Sequence, residues 1–235
     1  MQGAAMRLAG CGCAGKGFEF CDCAPKKDTM KPRIAETFTS IQGEGHLSGK
    51  LMRFIRLAGC KVTQCPLHPA RGGLCDTDWS FKFMADAERL ADEALAEVGP
   101  NGWVSITGGE PLDQPEAVAA LIAELKRRGL LVNIQTSGTR WVTCPWDWLT
   151  VSPKCSSTEL VQTFGQELKL VYSGQTDEEL TEFYARTKFW NYYLMPLWEA
   201  NGPNTAETIE AVHRMNKAGQ PWELTTQAHK WWGVR

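Results

Sequence analysis

Residues 54–78, with the sequence FIRLAGCKVTQCPLHPARGGLCDTD, carry three cysteines on one short loop that follows an apolar segment. The apolar segment, Leu51–Leu57, has the composition of a β-strand, and Gly59 breaks it. The cysteines of the loop are Cys60, Cys65 and Cys75. Thiolates gathered on one loop are typical of a soft-metal or iron–sulfur site, because sulfur donates strongly to iron or zinc and the loop fixes the geometry.

The odd number of thiolates is relevant to two kinds of metal site. A structural zinc ion normally has four closed ligands, whereas a cubane cluster held by three cysteines leaves one iron open to another molecule. The residues of the loop alone leave both kinds of site open. The alternative, on this stretch alone, is that the three cysteines are unrelated and are buried for their apolar character.

Length and composition restrict the class of protein. The chain has 235 residues, a formal net charge of -2 and 9 cysteines, which allows one large domain or two small ones. The interspersed charges lack the basic patch of a nucleic-acid-binding protein. An odd cysteine count suits a reducing cytosol better than a disulfide framework. The sequence shows neither a membrane span nor a secretory signal, so we expect a cytoplasmic protein without direct contact to membrane or nucleic acid.

Residues 1–30 differ in composition from the rest of the chain. They contain two CxC pairs separated by 7 residues, formed by Cys11, Cys13, Cys21 and Cys23. Four thiolates could hold zinc, although the usual CxxC spacing is absent. The alternatives are a flexible tail or a start of the protein at Met30. We expect a cysteine-rich flexible extension over residues 1–30 and one domain over residues 31–235.

The rest of the chain alternates between segments of strand and helix composition. Strands are predicted for Ile34–Ile41, Leu51–Leu57, Trp103–Thr107, Leu130–Thr136, Trp148–Val151, Glu167–Tyr172, Tyr192–Met195 and Trp222–Thr225. Helices are predicted for Met84–Val98, Asp113–Arg128 with Asp113 as N-cap, Thr176–Lys188 and Asn204–Ala218. The alternation indicates an α/β fold with about six βα units, too few for a closed eightfold barrel. A partial barrel and an open sheet both remain open.

Most of the unusual turns follow directly after predicted strands. They are the cysteine loop, GGEP at residues 108–111, TSGT at 136–139 and SPK at 152–154. Because ligands of parallel sheets bind beyond the carboxyl ends of the strands, these turns are expected to share one rim. The turn QGEG at residues 42–45 could let its backbone approach a ligand closely, or could be an ordinary hairpin loop.

In this order, these segments resemble the radical S-adenosylmethionine superfamily and, within it, the 7-carboxy-7-deazaguanine synthase family. The matching segments are QGEG, FIRLAGC at 54–60, CDT at 75–77, TGGEP at 107–111, SPK, and QAHKWWGVR at 227–235. The resemblance covers residues 31–235. It implies a partial (β/α)6 TIM-barrel-like radical S-adenosylmethionine fold.

The resemblance also implies an activity. The family converts 6-carboxy-5,6,7,8-tetrahydropterin into 7-carboxy-7-deazaguanine with loss of ammonia, a step towards queuosine and related 7-deazapurines. It implies a [4Fe–4S] cluster, S-adenosylmethionine and Mg²⁺, an electron donor such as flavodoxin or ferredoxin, and a homodimer. Three other functions stay open: another radical reaction such as glycyl-radical activation, a zinc-binding interaction module, and a family member that binds without turnover.

The resemblance assigns roles to particular residues. The cluster ligands are Cys60, Cys65 and Cys75, and the Mg²⁺ ligand is Thr77. The S-adenosylmethionine contacts are Gly109, Glu110, Ser152, Pro153, Lys154, Met195, Pro196, Leu197 and Trp198, with Gly109 required because a side chain would block the methionine part. The substrate contacts are Ile41, Gln42, Gly43, Glu44, Arg56, Thr107, Gln227, His229 and Arg235. The alternatives are a surface ion pair for Arg56, a helix cap for Thr77 and a solvated turn for Lys154.

The cluster loop departs from the CxxxCxxC pattern of the family. The middle position of that pattern is occupied by Gly72, which has no ligating side chain. Cys65 is the other thiol of the loop and is therefore assigned as the middle ligand. His68 is its rival, and the thiols of residues 1–30 are a weaker rival. Near the end of the chain, Ala228 replaces the hydroxyl residue that usually precedes His229.

Overall fold

The computed structural model describes residues 31–67, 70, 75–199 and 201–235. The predicted extension over residues 1–30, with its four cysteines, lies outside the described residues, as do His68 and Gly72. Within the described ranges, each helix is too short or too polar to cross a lipid bilayer.

A single large β-sheet forms the centre of the described part of the chain. Its strands are β1 (Arg33–Ile41), β2 (Leu51–Leu57), β3 (Phe83–Met84), β4 (Trp103–Gly108), β5 (Leu131–Thr136), β6 (Trp148–Val151), β7 (Phe164–Tyr172), β8 (Lys188–Pro196) and β11 (Trp222–Leu224). A separate two-stranded ribbon consists of β9 (Trp198–Glu199) and β10 (Gly202–Pro203). The strand order in the large sheet is β11-β8-β7-β6-β5-β4-β2-β1-β3.

Along the large sheet, the neighbouring strands β2, β4, β5, β6, β7, β8 and β11 run parallel to one another. At one edge, β1 pairs antiparallel with both β2 and β3. The helices are α1 (Ala87–Val98), α2 (Pro115–Arg127), α3 (Asp177–Arg186), α4 (Thr205–Lys217) and α5 (Ala228–Trp232). Within the described ranges, α1 to α4 each connect two parallel strands, while the connections β5–β6 and β6–β7 contain no helix. The mostly parallel α/β fold confirms the predicted fold class.

The two faces of the sheet differ in chemistry. Val104 and Ile106 of β4, both fully buried, pack with the apolar stripe of α2 in the main core. Ser105, between them, faces the other way because side chains alternate along a strand, and its hydroxyl donates to Asn133 Oδ1 of β5 at 3.0 Å. The face opposite the helices therefore carries buried polar groups, and those groups extend towards the candidate site.

The observed helices differ from the predicted ones at two starts and by one additional helix. Helix α1 begins at Ala87, because Met84 belongs to strand β3. Asp113 is not the N-cap of α2; Gln114 occupies that position, and Asp113 lies in a 3-10 turn over Pro111–Asp113. The carboxylate of Asp113 instead accepts the main-chain N–H of Lys61 at 2.6 Å. Helix α5 was not predicted, because a five-residue helix is too short to show a 3.6-residue period.

Candidate functional site

A cavity of about 650 Å³ lies at the carboxyl ends of the parallel strands, on the face of the sheet opposite helix α2. Every residue predicted for the site lines this cavity except Glu110 and Pro153. The turns that the sequence places after separate strands therefore meet in space, as the rule for parallel sheets predicts. The QGEG turn also takes part, although it is the hairpin between the antiparallel strands β1 and β2.

The three cysteines of the loop line the cavity together. Cys60 is half-buried at the end of β2, Cys65 is buried and Cys75 is exposed. Among the described residues, no three His, Cys, Asp or Glu side chains surround one point in a way that suits a single metal ion. In an iron–sulfur cubane each cysteine binds a different iron, so the thiolates need to line one cavity rather than share one point. The donor set and its location fit a [4Fe–4S] cluster.

The surroundings of Cys60 disfavour a free thiolate. Burial raises its pKa, and the negative charges of Glu110 and Asp113 raise it further, against a backbone hydrogen bond that lowers it. A thiol with a raised pKa stays protonated at neutral pH, so it becomes a ligand by losing its proton to metal binding.

Gly109 lies against the peptide that leads into the cluster loop. Its N–H donates to the carbonyl of Leu57 at 3.3 Å, and a Cβ built on it would stand 2.2 Å from the carbonyl oxygen of Gly59 and 2.6 Å from Cβ of Cys60. The sequence-based explanation for this glycine was room for the methionine part of the cofactor. The structure gives a different physical reason, since the side chain would first collide with the base of the loop.

Gly109→Ala is expected to displace Cys60 and to cost about 1–3 kcal/mol, as overpacked positions do. Iron content after anaerobic reconstitution and thermal unfolding measure the two effects. Gly219→Ala is the control, because Gly219 has open space around it but a φ of +80°, so that alanine there is strained without touching the loop. Equal iron contents in both variants would contradict the close packing.

Glu110 holds two turns together beneath the cavity. Its side chain is fully buried and accepts hydrogen bonds from the N–H of Leu112 at 3.0 Å and the hydroxyl of Thr136 at 2.8 Å. The N–H and hydroxyl of Ser137 donate to its other oxygen. The carboxylate therefore joins the turn after β4 to the turn after β5 and does not face the cavity. Pro153 does not line the cavity either.

The SPK turn presents a cation to the cavity. Lys154 is half-buried, and its Nζ donates to Ser152 Oγ at 3.2 Å. Burial lowers the pKa of the Lys154 ammonium and Lys169 lowers it further, while the charges of Cys65, Glu44 and Asp76 act in the opposite direction. Because Lys154 lines the cavity and burial lowers its pKa, it is not a fully solvated turn residue.

The QGEG turn carries a buried ion pair that the sequence did not reveal. Glu44 pairs with Lys169 of β7, and Gln227 Nε2 donates to the other carboxylate oxygen at 3.1 Å. Burial alone would raise the pKa of Glu44, but the attraction and hydrogen bond of Lys169 outweigh it, and the pKa falls from 4.5 to about 2. Glu44 is therefore a carboxylate throughout the neutral range and acts only as a hydrogen-bond acceptor.

Helix α5 closes the cavity against the same turn. The N–H of Ala228 donates to the carbonyl of Gly43 at 2.9 Å, and a Cβ on Gly43 would stand 2.4 Å from Nδ1 of His229. Burial lowers the pKa of His229 and the cations Lys230 and Lys169 lower it further, while Glu44 opposes them. The imidazole is thus favoured in its neutral form beside Glu44.

Two arginines share one carboxylate at another wall of the cavity. Arg56 Nε lies 2.7 Å from Glu36 Oε1, and Arg235 pairs with the other oxygen of Glu36. Both guanidinium groups also stand over the ring of Phe38. The hydroxyl of Ser40 donates to the main-chain oxygen of Arg235 at 2.6 Å. Arg56 therefore forms the ion pair that the sequence analysis gave as its alternative role. Arg56 also lines the cavity.

The segment after Cys75 contacts α5. Lys230 Nζ lies 3.4 Å from Asp76 Oδ2 and 4.5 Å from the ring centre of Trp198. Thr77 lines the cavity in a non-helical segment, with Oγ1 3.5 Å from Asp76 Oδ1, so it is not a helix cap. Helix α5 thus links the cluster loop to the segment predicted to hold the adenine.

Three comparisons place the chain among known proteins. No protein-family model matches it. It is 34% identical over 218 residues to the 7-carboxy-7-deazaguanine synthase of Caulobacter vibrioides, across 87% of this chain and 100% of that protein. It is 35% identical over 211 residues to the 7-carboxy-7-deazaguanine synthase of Bacteroides thetaiotaomicron, across 88% of this chain and 100% of that protein.

A comparison with solved structures supports the same family. The crystal structure of QueE from Escherichia coli superposes with a TM-score of 0.65 at 28% sequence identity, and the match covers 84% of this chain and 94% of that chain. Near-complete coverage in both directions excludes a match confined to a shared superfamily core. With the cysteine loop, the GGEP turn and the QGEG turn meeting in one cavity, the chain belongs to the 7-carboxy-7-deazaguanine synthase family.

Proposed function

We propose that the chain is a radical S-adenosylmethionine enzyme that converts 6-carboxy-5,6,7,8-tetrahydropterin into 7-carboxy-7-deazaguanine with loss of ammonia, on the route to queuosine and related 7-deazapurines. The observation that carries the proposal is the single cavity that gathers the three loop cysteines, the SPK turn and the polar QGEG turn. Membership of the 7-carboxy-7-deazaguanine synthase family supports it.

Cys60, Cys65 and Cys75 are the proposed ligands of the [4Fe–4S] cluster. When bound, the cluster supplies an iron without a protein ligand, where S-adenosylmethionine is cleaved reductively to start radical chemistry. Gly109 keeps the base of the loop in place, and Ser152 and Lys154 offer a hydroxyl and an ammonium to the methionine or ribose part. Buried Met195 and Pro196, with Leu197 and Trp198, provide the apolar wall that an adenine ring requires.

Glu44 is the proposed anchor for the pterin ring. A pterin presents an amino group and a ring N–H side by side, and a carboxylate accepts two such donors at once. The low pKa keeps Glu44 charged for this role. Ile41, Gln42 and Gly43 add main-chain and amide groups along the same edge, and neutral His229 and Gln227 close it from α5.

Arg56 is the proposed partner of the substrate carboxylate, because its planar fork suits carboxylate binding. In the structure Glu36 holds one edge of this guanidinium, which leaves the other edge to the cavity. Thr107 and Arg235 line the same region. The assignments of Arg56 and Thr107 each predict a raised KM for the pterin when the side chain is removed.

Thr77 is the proposed protein ligand of Mg²⁺. Magnesium usually keeps several waters and binds one or two protein oxygens together with substrate oxygens, so one hydroxyl beside Asp76 suffices. We further propose a homodimer and a one-electron donor such as flavodoxin or ferredoxin, both carried over from the family.

The test is turnover by the anaerobically reconstituted protein with S-adenosylmethionine, the pterin and Mg²⁺. Formation of 7-carboxy-7-deazaguanine supports the proposal, and omission of Mg²⁺ tests its role separately. A loaded cluster that cleaves S-adenosylmethionine without forming this product would contradict the assigned reaction. Zinc without iron or sulfide in oxygen-protected protein would instead favour a zinc-binding module.

A further inference from the structure

A buried aspartate stands directly behind the first cysteine of the cluster loop. Only 6% of the Asp113 side chain is exposed. Its Oδ2 accepts a 2.6 Å hydrogen bond from the main-chain N–H of Lys61, the residue after Cys60. Its Oδ1 lies 3.1 Å from Nη2 of Arg140, in the geometry of an ion pair rather than of a hydrogen bond. The carboxylate therefore joins the cluster loop to the segment after β5.

The chain before Cys60 is held from the same side. The carbonyl of Gly59 accepts the N–H of Glu110 at 3.1 Å. With Lys61 held by Asp113, the peptides on both sides of Cys60 are fixed by the segment that follows β4. After Lys61, the loop is held by hydrogen bonds between its own residues. One of them runs from the N–H of Cys65 to the carbonyl of Val62 at 3.1 Å.

We infer that Asp113 is a positioning residue that fixes the direction of the Cys60 thiolate through the main-chain N–H of Lys61. The inference rests on the proposed function, since it requires a cluster at Cys60. A charged acceptor makes a stronger hydrogen bond than a neutral one, and groups that orient metal ligands commonly change metal affinity by about 10–100-fold when removed. Without this acceptor the peptide after Cys60 is free to rotate, and the thiolate loses its fixed direction.

The experiment compares Asp113→Ala and Asp113→Asn in the full-length reconstituted protein. The readouts are iron and sulfide per chain, the lifetime of the cluster absorbance under a chelator, and the EPR spectrum of the reduced cluster with and without S-adenosylmethionine. Asp113→Ala is expected to shorten the cluster lifetime by at least about tenfold and to change the EPR spectrum. Asp113→Asn keeps an acceptor oxygen for Lys61 and is expected to restore most of both properties.

Asp147→Ala is the matched control. Asp147 also accepts a main-chain N–H, that of Val132 at 2.6 Å, and also pairs with a cation, Lys126 at 2.7 Å, but it does not line the cavity. The Asp147→Ala variant should have a lower thermal stability than the parent protein, with an unchanged cluster lifetime and an unchanged EPR spectrum. A parent-like cluster in Asp113→Ala, or equal cluster loss in Asp147→Ala, would overturn the inference. A parent protein that holds no iron would instead overturn the proposed function.

Discussion

Cys65→Ala is expected to give a folded protein that cannot hold a [4Fe–4S] cluster. Cys65 lies close enough to act electrostatically on both Cys60 and Lys154, and it lines the cavity with the other two cysteines. Removing one of three ligands leaves a second iron without a protein ligand, so the cluster should not survive purification. Iron and sulfide should fall to background, and product formation should fall by at least about a hundredfold.

Cys144→Ala separates the loss of a ligand from the loss of a buried thiol. Cys144 is 8% exposed and Cys65 is 9% exposed, but Cys144 belongs to the core under the helices. Its alanine variant should keep full iron content at a similar loss of stability. The rival ligand His68 is tested in the same series, since His68→Ala should retain the cluster. A full cluster in Cys65→Ala together with its loss in His68→Ala would reverse the assignment.

The fold class could be predicted from the sequence because each strand and helix depends mainly on its own residues. Apolar strands such as Leu51–Leu57 and the apolar stripe of α2 each follow from their own residues, and the parallel arrangement follows from their alternation. The convergence of the cysteine loop with GGEP and SPK also follows, since all three turns end parallel strands. Strand bounds were less accurate: β7 begins at Phe164 rather than Glu167.

Partnerships between distant residues could not be read from the sequence. Lys169 sits in an apolar strand at a position facing the cavity, so strand alternation could have marked it as unusual, but nothing local indicates Glu44 as its partner. The pairing of Glu36 with Arg56 needs the register of β1 and β2, which places these residues opposite each other. The position of Asp113 also depends on tertiary packing, because its carboxylate accepts the main-chain N–H of Lys61, which belongs to a separate loop.

Lys169→Met is expected to destabilise the protein by about 3–5 kcal/mol, because it leaves the Glu44 carboxylate in a buried position without its cation. The exposed fractions of the two side chains are 3% for Lys169 and 15% for Glu44. Glu44→Gln is expected to have a similar cost, since it leaves the ammonium unpaired. Denaturant unfolding of the cluster-free protein at neutral pH measures both, and losses below about 1 kcal/mol would mean that the pair is solvated.

The double variant Glu44→Gln with Lys169→Met distinguishes a folding role from a binding role. Removing both charges takes away the unpaired ion, so most of the lost stability should return. Turnover should remain at least about a hundredfold below the parent, because an amide lacks the second acceptor oxygen that the two pterin N–H groups require. Additive stability losses would contradict the pairing, and a double variant with full turnover would contradict the binding role.

The stability of the protein at acid pH gives an independent check on the Glu44–Lys169 ion pair. The pKa of Glu44 in the folded protein, about 2, lies below its ordinary value of 4.5. Its contribution to stability is therefore fully present above about pH 4.5 and is lost as the pH falls towards 2. The parent should lose its advantage over Glu44→Gln across this window, whereas the double variant, which has no carboxylate at this position, should show no such loss from it. A parent whose advantage over Glu44→Gln persists at the acid end would mean that the carboxylate is not what Lys169 stabilises.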